Sequence, residues 1–304
     1  MGEPITEISI WNRVSRFARR PWCEKRKSLG LRWFRLFPGV PFPIRLSSGC
    51  WWLAVNDAGG VGLLDDKFEK PERQFVDRYL RPGMTVLDIG AHHGLYTLLA
   101  AQRVGSHGRI LAFEPSPRER NLLLRHLRLN RCRNVRIEPF ALGSVDGAAN
   151  LFVVEGRETG CNSLRKPDIS DVTKEVSVRV RRLDEVLEAS AIQRVDFIKL
   201  DAEGGELEIL RGAGRFLEQS PRPVILAEVQ DIRTHPWGYD ARQIVTFLHE
   251  REFFWFKPLQ DGSLESVEVG RAEYDGNFVA IPQERMADVL QRFRASREKV
   301  AAVV

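Results

Sequence analysis

An α/β fold with a mostly parallel sheet and helices on both faces is what this sequence predicts, and three observations carry the prediction. From about Lys67 onward, short apolar strands alternate with amphipathic helices. The first strong strand runs through Asp88 into a glycine turn, Gly90-Ala91-His92-His93-Gly94, and then into a helix. The next strand ends on an acid, Glu114, at the sheet edge where open α/β folds bind ligands.

The elements follow in order. Residues 70–80 read as a helix stopped by Arg81-Pro82-Gly83, 85–89 as a buried strand, 93–104 as a helix, 109–113 as a strand and 117–130 as a helix. Strand candidates follow at 135–139, 150–154 and 176–180, then a short helix at 183–188 and a strong strand at 195–200. A helical stretch at 206–217, a strand at 224–229 and a helix at 243–250 continue the alternation. Residues 253–256 and 277–281 can pair as an edge hairpin, and a charged helix begins at 284.

Ahead of this alternation the composition differs. Between Trp11 and Arg35 nine bases stand against one acid, Glu24. Ile10, Trp11, Val14, Phe17 and Ala18 recur at helical spacing opposite Arg13, Arg16, Arg19 and Arg20. That pattern predicts a basic amphipathic helix, suited to an anionic membrane surface or to packing on a core. Pro38, Pro41 and Pro43 end the helical pattern, and Gly59, Gly60 and Gly62 punctuate an expected strand or hairpin over 51–61. The organisation expected is an extension at 1–66, a catalytic domain at 67–283 and a terminal helix at 284–304.

Composition narrows the class. The chain has 304 residues, of which 43% are apolar, enough for a sizeable core. With 46 Lys and Arg against 41 Asp and Glu, the charge of +5 is too small for a general polycation, so nucleic acid is not an expected partner. No apolar run approaches the roughly 18 residues of a spanning helix, and no signal peptide is expected. Cys23, Cys50, Cys132 and Cys161 lie far apart, which suggests a reducing, cytoplasmic setting, with peripheral contact at the inner membrane surface through the basic segment.

The chemistry concentrates at strand ends. Gly90 and Gly94 lack Cβ atoms where a nucleoside would lie over the loop, and Asp88 beneath them would repel pyrophosphate and favour a cation. Glu114 can accept both hydroxyls of a ribose. At period two, Lys199, Asp201 and Glu203 share one face of their strand, so an acid there can orient or deprotonate an acceptor while another balances positive charge. An ion pair between Lys199 and one acid is the structural alternative. Glu228 ends the following strand on the same rim, as an acceptor ligand or second base, and His93 is a further candidate base.

Four stretches, Asp88-Ile89-Gly90-Ala91, Phe113-Glu114-Pro115, Ala141-Leu142-Gly143 and Lys199 through Glu208, resemble the S-adenosylmethionine-dependent methyltransferases of the FkbM family. The resemblance covers roughly 67–282. It implies a Rossmann-like, seven-stranded class I methyltransferase sheet with an antiparallel edge strand, S-adenosylmethionine as cofactor, and methyl transfer to a hydroxyl of a sugar, glycolipid or secondary metabolite. Carried over, Asp88, Gly90, His92 and Gly94 would shape the methionine and ribose site, Glu114 would hold the ribose diol, and Phe140, Ala141 and Leu142 would flank the adenine. Asn162 and Ser163 fall in a loop that resembles the family's cover over the acceptor. Family members commonly carry Asn where this chain has His92. The partner expected is a hydroxyl-bearing small molecule or glycan. Two alternatives stand beside this: a cofactor-binding adaptor without transferase activity, and a metal-assisted transferase using Asp201 and Glu228, which the few convergent carboxylates of the sequence do not favour. No metal is expected.

Overall fold

The structure, a computed structural model, describes residues 21–301. The basic helix expected around 10–20 lies outside the described residues. The chain divides into two units, Met1–Phe68 and Glu69–Val304.

In the first unit, helix α1 (Trp22–Leu36) buries Gly30 and Phe34. Its Arg26 donates to the carbonyls of Leu63 and Leu64, and Lys27 pairs with Asp65 at 2.7 Å. Strands β1 (Phe42–Arg45) and β2 (Trp51–Ala54) form an antiparallel ribbon. Of the strand or hairpin expected over 51–61, the strand is present as β2, and helix α2 (Ala58–Leu64) follows it in place of a return strand. Asp57 explains the difference, because its side chain accepts from the Gly60 N–H at 2.6 Å and caps the helix. Gly60 is required there, since a Cβ would collide with the Val55 carbonyl.

The second unit holds the expected alternation. Helix α3 (Lys70–Tyr79) precedes β3 (Thr85–Ile89), α4 (Leu95–Val104), β4 (Arg109–Phe113), α5 (Pro117–Leu129) and β5 (Val135–Glu138). Strands β6 (Ala141–Leu142), β7 (Gly147–Glu155) and β8 (Val172–Arg181) leave the main sheet and form a separate three-stranded one. The main sheet resumes through α6 (Leu183–Ala189), β9 (Phe197–Leu200), α7 (Glu206–Arg211), α8 (Gly214–Leu217), β10 (Val224–Gln230) and α9 (Asp231–Thr234). It closes with α10 (Arg242–His249), β11 (Phe253–Pro258), β12 (Leu264–Ser266), β13 (Asp275–Pro282) and α11 (Met286–Ala301).

Sheet order is β12-β11-β13-β10-β9-β3-β4-β5. Five strands from β10 to β5 are parallel, and β13 runs antiparallel between β10 and β11. The sheet therefore has eight strands where seven were expected, the eighth being the short hairpin return β12. The long antiparallel strand is interior, because the connection through β11 places β13 back beside β10. Alternation sorts the core: Leu87, Ile89, Leu111, Phe113, Ile198 and Leu200 face one layer, and Val86, Ile110, Phe197, Val224 and Leu226 face the other. Chain order reverses at β3, between β9 and β4, so the ligand crevice must lie at the carboxyl ends of these strands.

Candidate active site

The turn after β3 is held by its neighbours. The Gly90 and Ala91 N–H groups both donate to the Phe113 carbonyl at 3.0 Å. Gly90 adopts φ +76°, and a Cβ on it would collide with the Asp201 carbonyl. Gly94, at φ +90°, caps α4, and a Cβ there would collide with Leu123. Both glycines thus let protein meet protein, where the sequence suggested room for a nucleoside. Gly90→Ala is expected to destabilise the fold by about 2–5 kcal/mol, from left-handed strain and overpacking together. A thermal unfolding midpoint equal to wild type would refute this. His92 also sits at positive φ, 49°, a conformation Asn tolerates better than His, and stacks on His93 at 3.7 Å.

Glu114 continues the same loop. One carboxylate oxygen accepts from the His92 N–H at 2.7 Å and the other from the Ser116 N–H at 2.8 Å, leaving a lone pair on each for a further donor. Burial pushes its pKa up to about 8. Phe140, Ala141 and Leu142 are buried, Phe140 edge-on to Phe113 at 5.9 Å.

The rim of β9 and β10 carries the densest charge. Lys199 is buried between Asp88 of β3 and Leu226 of β10 in register. Its Nζ lies 2.8 Å from the Asp201 carboxylate and 3.2 Å from the Asn277 side-chain oxygen, above the Tyr96 ring. Burial alone would lower the Lys199 pKa, but Asp201, Glu69 and Glu228 outweigh it and hold the ammonium charged. Asp88 accepts from the Thr97 hydroxyl, and burial raises its pKa to about 6. Tyr96 donates to Glu69 at 2.7 Å. So Asp201 is an ion-pair partner, the alternative the sequence left open.

Glu203 stands at φ +51° with its carboxylate 3.0 Å from Arg233. The turn after it is clamped: Ser163 and Trp237 donate to the Glu203 carbonyl at 2.7 and 3.2 Å, Tyr239 donates to the Gly204 carbonyl, and Glu206 accepts from the Ala202 N–H at 2.7 Å. Carboxylate oxygens of Asp201, Glu203 and Glu228 lie within 4.8 Å of one another. The sequence expectation that few carboxylates converge is therefore corrected, because β9 and β10 are adjacent and in register. Among the described residues Glu203 and Glu228 each keep a buried oxygen with no hydrogen-bond partner, and of the two only Glu203 has an ion-pair partner, Arg233. Burial and the nearby Asp201 and Glu203 raise its pKa well above the usual carboxylate range.

Three sequence candidates are committed to structure. The His93 ring lies 2.8 Å from Glu119, and the His93 carbonyl accepts from His126 at 2.7 Å. Burial alone would raise Glu119, but hydrogen bonds from His93 and Arg118 outweigh it and hold it down to about 2. Asn162 accepts from the Val154 N–H and donates to Glu119, at 2.8 and 3.0 Å, and Ser163 is buried under the Glu203 turn. These hydrogen bonds fix the loop. Glu69, Tyr96, Arg233, Trp237 and Asn277 were missed; Tyr96 lies only two residues past Gly94, and all five enter through packing rather than through a motif. A cavity of about 520 Å³ opens just past β10, lined by Asp231, Ile232, His235, Asp240 and Tyr274 among others. Its size is that of a small-molecule site.

A parallel sheet reversing beside a glycine turn, an acid for a ribose and a rim with buried carboxylates in excess over Lys199 and Arg233 suits a nucleoside carrying a sulfonium cation. This is the arrangement of a class I S-adenosylmethionine-dependent methyltransferase. The model of the Methyltransferase FkbM domain matches residues 88–254, and the chain belongs to that family.

Among curated relatives, Methyltransferase 1 of Beauveria bassiana is 29% identical over 143 residues, 42% of this chain and 57% of its own length. The AMB antimetabolite synthetase AmbE of Pseudomonas aeruginosa is 28% identical over 265 residues, 71% of this chain and 12% of its own. The chain thus spans less than two thirds of the length of these relatives. Among solved structures, the methyltransferase FkbM of Methylobacillus flagellatus KT is similar at 15% identity and a TM-score of 0.41, covering 78% of this chain and 56% of that one.

Proposed function

We propose that the chain methylates a hydroxyl of a sugar, glycolipid or secondary metabolite, with Glu228 taking the acceptor proton. The observation that carries this is the Glu228 carboxylate, the one member of the acidic trio with neither an ion-pair nor a hydrogen-bond partner for its buried oxygen among the described residues. Bound S-adenosylmethionine supplies a methyl group already activated by positive sulfur. What the chain adds is position and a proton acceptor. Glu114 would accept from the ribose, and the acidic rim would face the sulfonium. The cavity beyond β10, with Asp231 and Asp240 on its wall, offers carboxylates that accept hydrogen bonds from a polyhydroxyl compound.

Glu114→Ala is expected to weaken S-adenosylmethionine binding by more than tenfold. The pH dependence has a definite sign. Because the Glu114 pKa is raised to about 8, the free protein carries it protonated below that pH, and its ionisation opposes folding progressively from about pH 4.5 to 8. The ionised form is the better ribose acceptor, so affinity should fall as pH is lowered from 8 to 6, by up to about tenfold per unit. Titration calorimetry showing a flat profile in wild type would remove Glu114 from the ribose site.

The acceptor class is read by transfer of labelled methyl into a cell extract split into lipid, glycan, protein, nucleic-acid and small-molecule fractions. Label in the glycan, lipid or small-molecule fraction, reduced with Glu114→Ala, supports the proposal. Label in protein or nucleic acid overturns it, and cofactor binding without label anywhere favours the adaptor alternative. Loss of turnover on chelation would assign the acidic trio to a cation instead.

A further inference from the structure

We propose that the first unit docks on an anionic phospholipid surface through the outer face of α1. The net charge of the chain is concentrated there: residues 1–68 contain 11 Lys and Arg against 6 Asp and Glu, and the remainder contains 35 of each. The +5 of the whole protein thus sits in the first unit, and the second is balanced.

Of the four exposed apolar side chains of α1, three are ordered, and the fourth, Leu31, faces the other way. Trp22, Leu29 and Leu36 recur every seven residues, so they fall on one line along α1, spaced by roughly 10 Å. Trp22 and Leu36 are each 70% exposed and Leu29 41%. Lys25 and Arg32 fall on the same stripe between them, and Arg35 continues the basic side beyond Arg32, next to the one acid of the helix, Glu24. The packed face lies about a quarter turn round the helix: Gly30 and Phe34 are buried, and Arg26 is bound to carbonyls of the unit. Past the helix, Phe37 and Val40 are each 47% exposed. A helix hydrophobic on its packed face and again on its outer face has no reason in folding for the second stripe.

Charge selects the occupant. An apolar line with bases alongside matches a bilayer interface, where Trp and Leu enter the headgroup region and Lys and Arg meet lipid phosphates. Single-stranded nucleic acid would call for a run of exposed aromatics on which bases stack, and the stripe carries only Trp22. Among the described residues no helix is long and apolar enough to cross a membrane, so the contact is peripheral. This inference is independent of the acceptor.

The test is co-sedimentation of the full chain with vesicles of phosphatidylcholine, with and without about 30% phosphatidylglycerol. The expected result is binding to the anionic vesicles, at least tenfold weaker to the neutral ones, and lost as salt is raised. Two variants decide the surface: Trp22→Ser with Leu29→Ser and Leu36→Ser, and Arg32→Glu with Arg35→Glu. Each should reduce partition at least tenfold, since one base at such a surface is worth roughly fivefold and its reversal more. Circular dichroism and S-adenosylmethionine affinity should stay unchanged, as these side chains face solvent. Equal binding to both vesicle types, no binding, or undiminished binding by both variants overturns the proposal. So does a single-stranded oligonucleotide that binds more tightly than the vesicles and responds to the same variants.

Discussion

Lys199→Met should destabilise the second unit by about 3–5 kcal/mol, among the largest effects of a single substitution away from the glycine turn. The ammonium is buried at the centre of the sheet, 2.8 Å from Asp201, with Asp88 and Glu69 also acting on or beside it. Removing one partner of a buried pair leaves the other charge uncompensated, which costs more than the pair contributed. For a unit of this size the loss corresponds to a fall in unfolding midpoint on the order of 10 °C. The sign in pH is fixed. The folded pKa of Lys199 lies above its ordinary 10.5, so the stability it contributes is fully present below that pH and lost only above it. Lys199→Met combined with Asp201→Asn should recover part of the loss, because the pair disappears together. Thermal unfolding of both variants decides it: a single variant as stable as wild type removes Lys199 from the framework.

That lysine shows what the sequence could and could not say. The period-two pattern expected Lys199, Asp201 and Glu203 on one strand face, but the strand ends at Leu200 and Glu203 lies in the left-handed turn beyond it, and which acid the lysine holds depends on the neighbouring strands. Strands 85–89 and 109–113 were legible to the residue because apolar runs between turn signals have no other reading. The helix Ala58–Leu64 was not, since three glycines argue for a turn and only the Asp57 cap and the tight approach to Val55 override them. Gly90 and Gly94 were recognised as essential, but for space that ligand would fill. Asp201 and Leu123 occupy that space, and no local pattern reveals a partner about 110 residues away. The acidic trio has the same origin, in the pairing of β9 with β10, and so do the clamps from Trp237 and Tyr239.

Glu228→Gln should lower kcat for methyl transfer by about 10² to 10⁴, while S-adenosylmethionine affinity changes by no more than a few fold. The amide keeps the size of the side chain and removes its ability to take a proton. The choice of Glu228 over Asp201 follows from commitment: Asp201 is neutralised by Lys199, Glu203 by Arg233, and the buried Glu228 oxygen has no partner among the described residues. Burial and the neighbouring acids raise the Glu228 pKa well above the usual carboxylate range, which makes it a stronger base than an exposed carboxylate. Its deprotonated form is the active one, so wild-type kcat should rise with pH through this titration. In Glu228→Gln the rising limb should vanish, leaving a low, flat rate sustained by positioning alone. Asp201→Asn should instead lose stability and keep the rising limb. If Glu228→Gln retains both the rate and the limb, the proton leaves the acceptor by another route, and the free carboxylate at the end of β10 serves recognition of the acceptor.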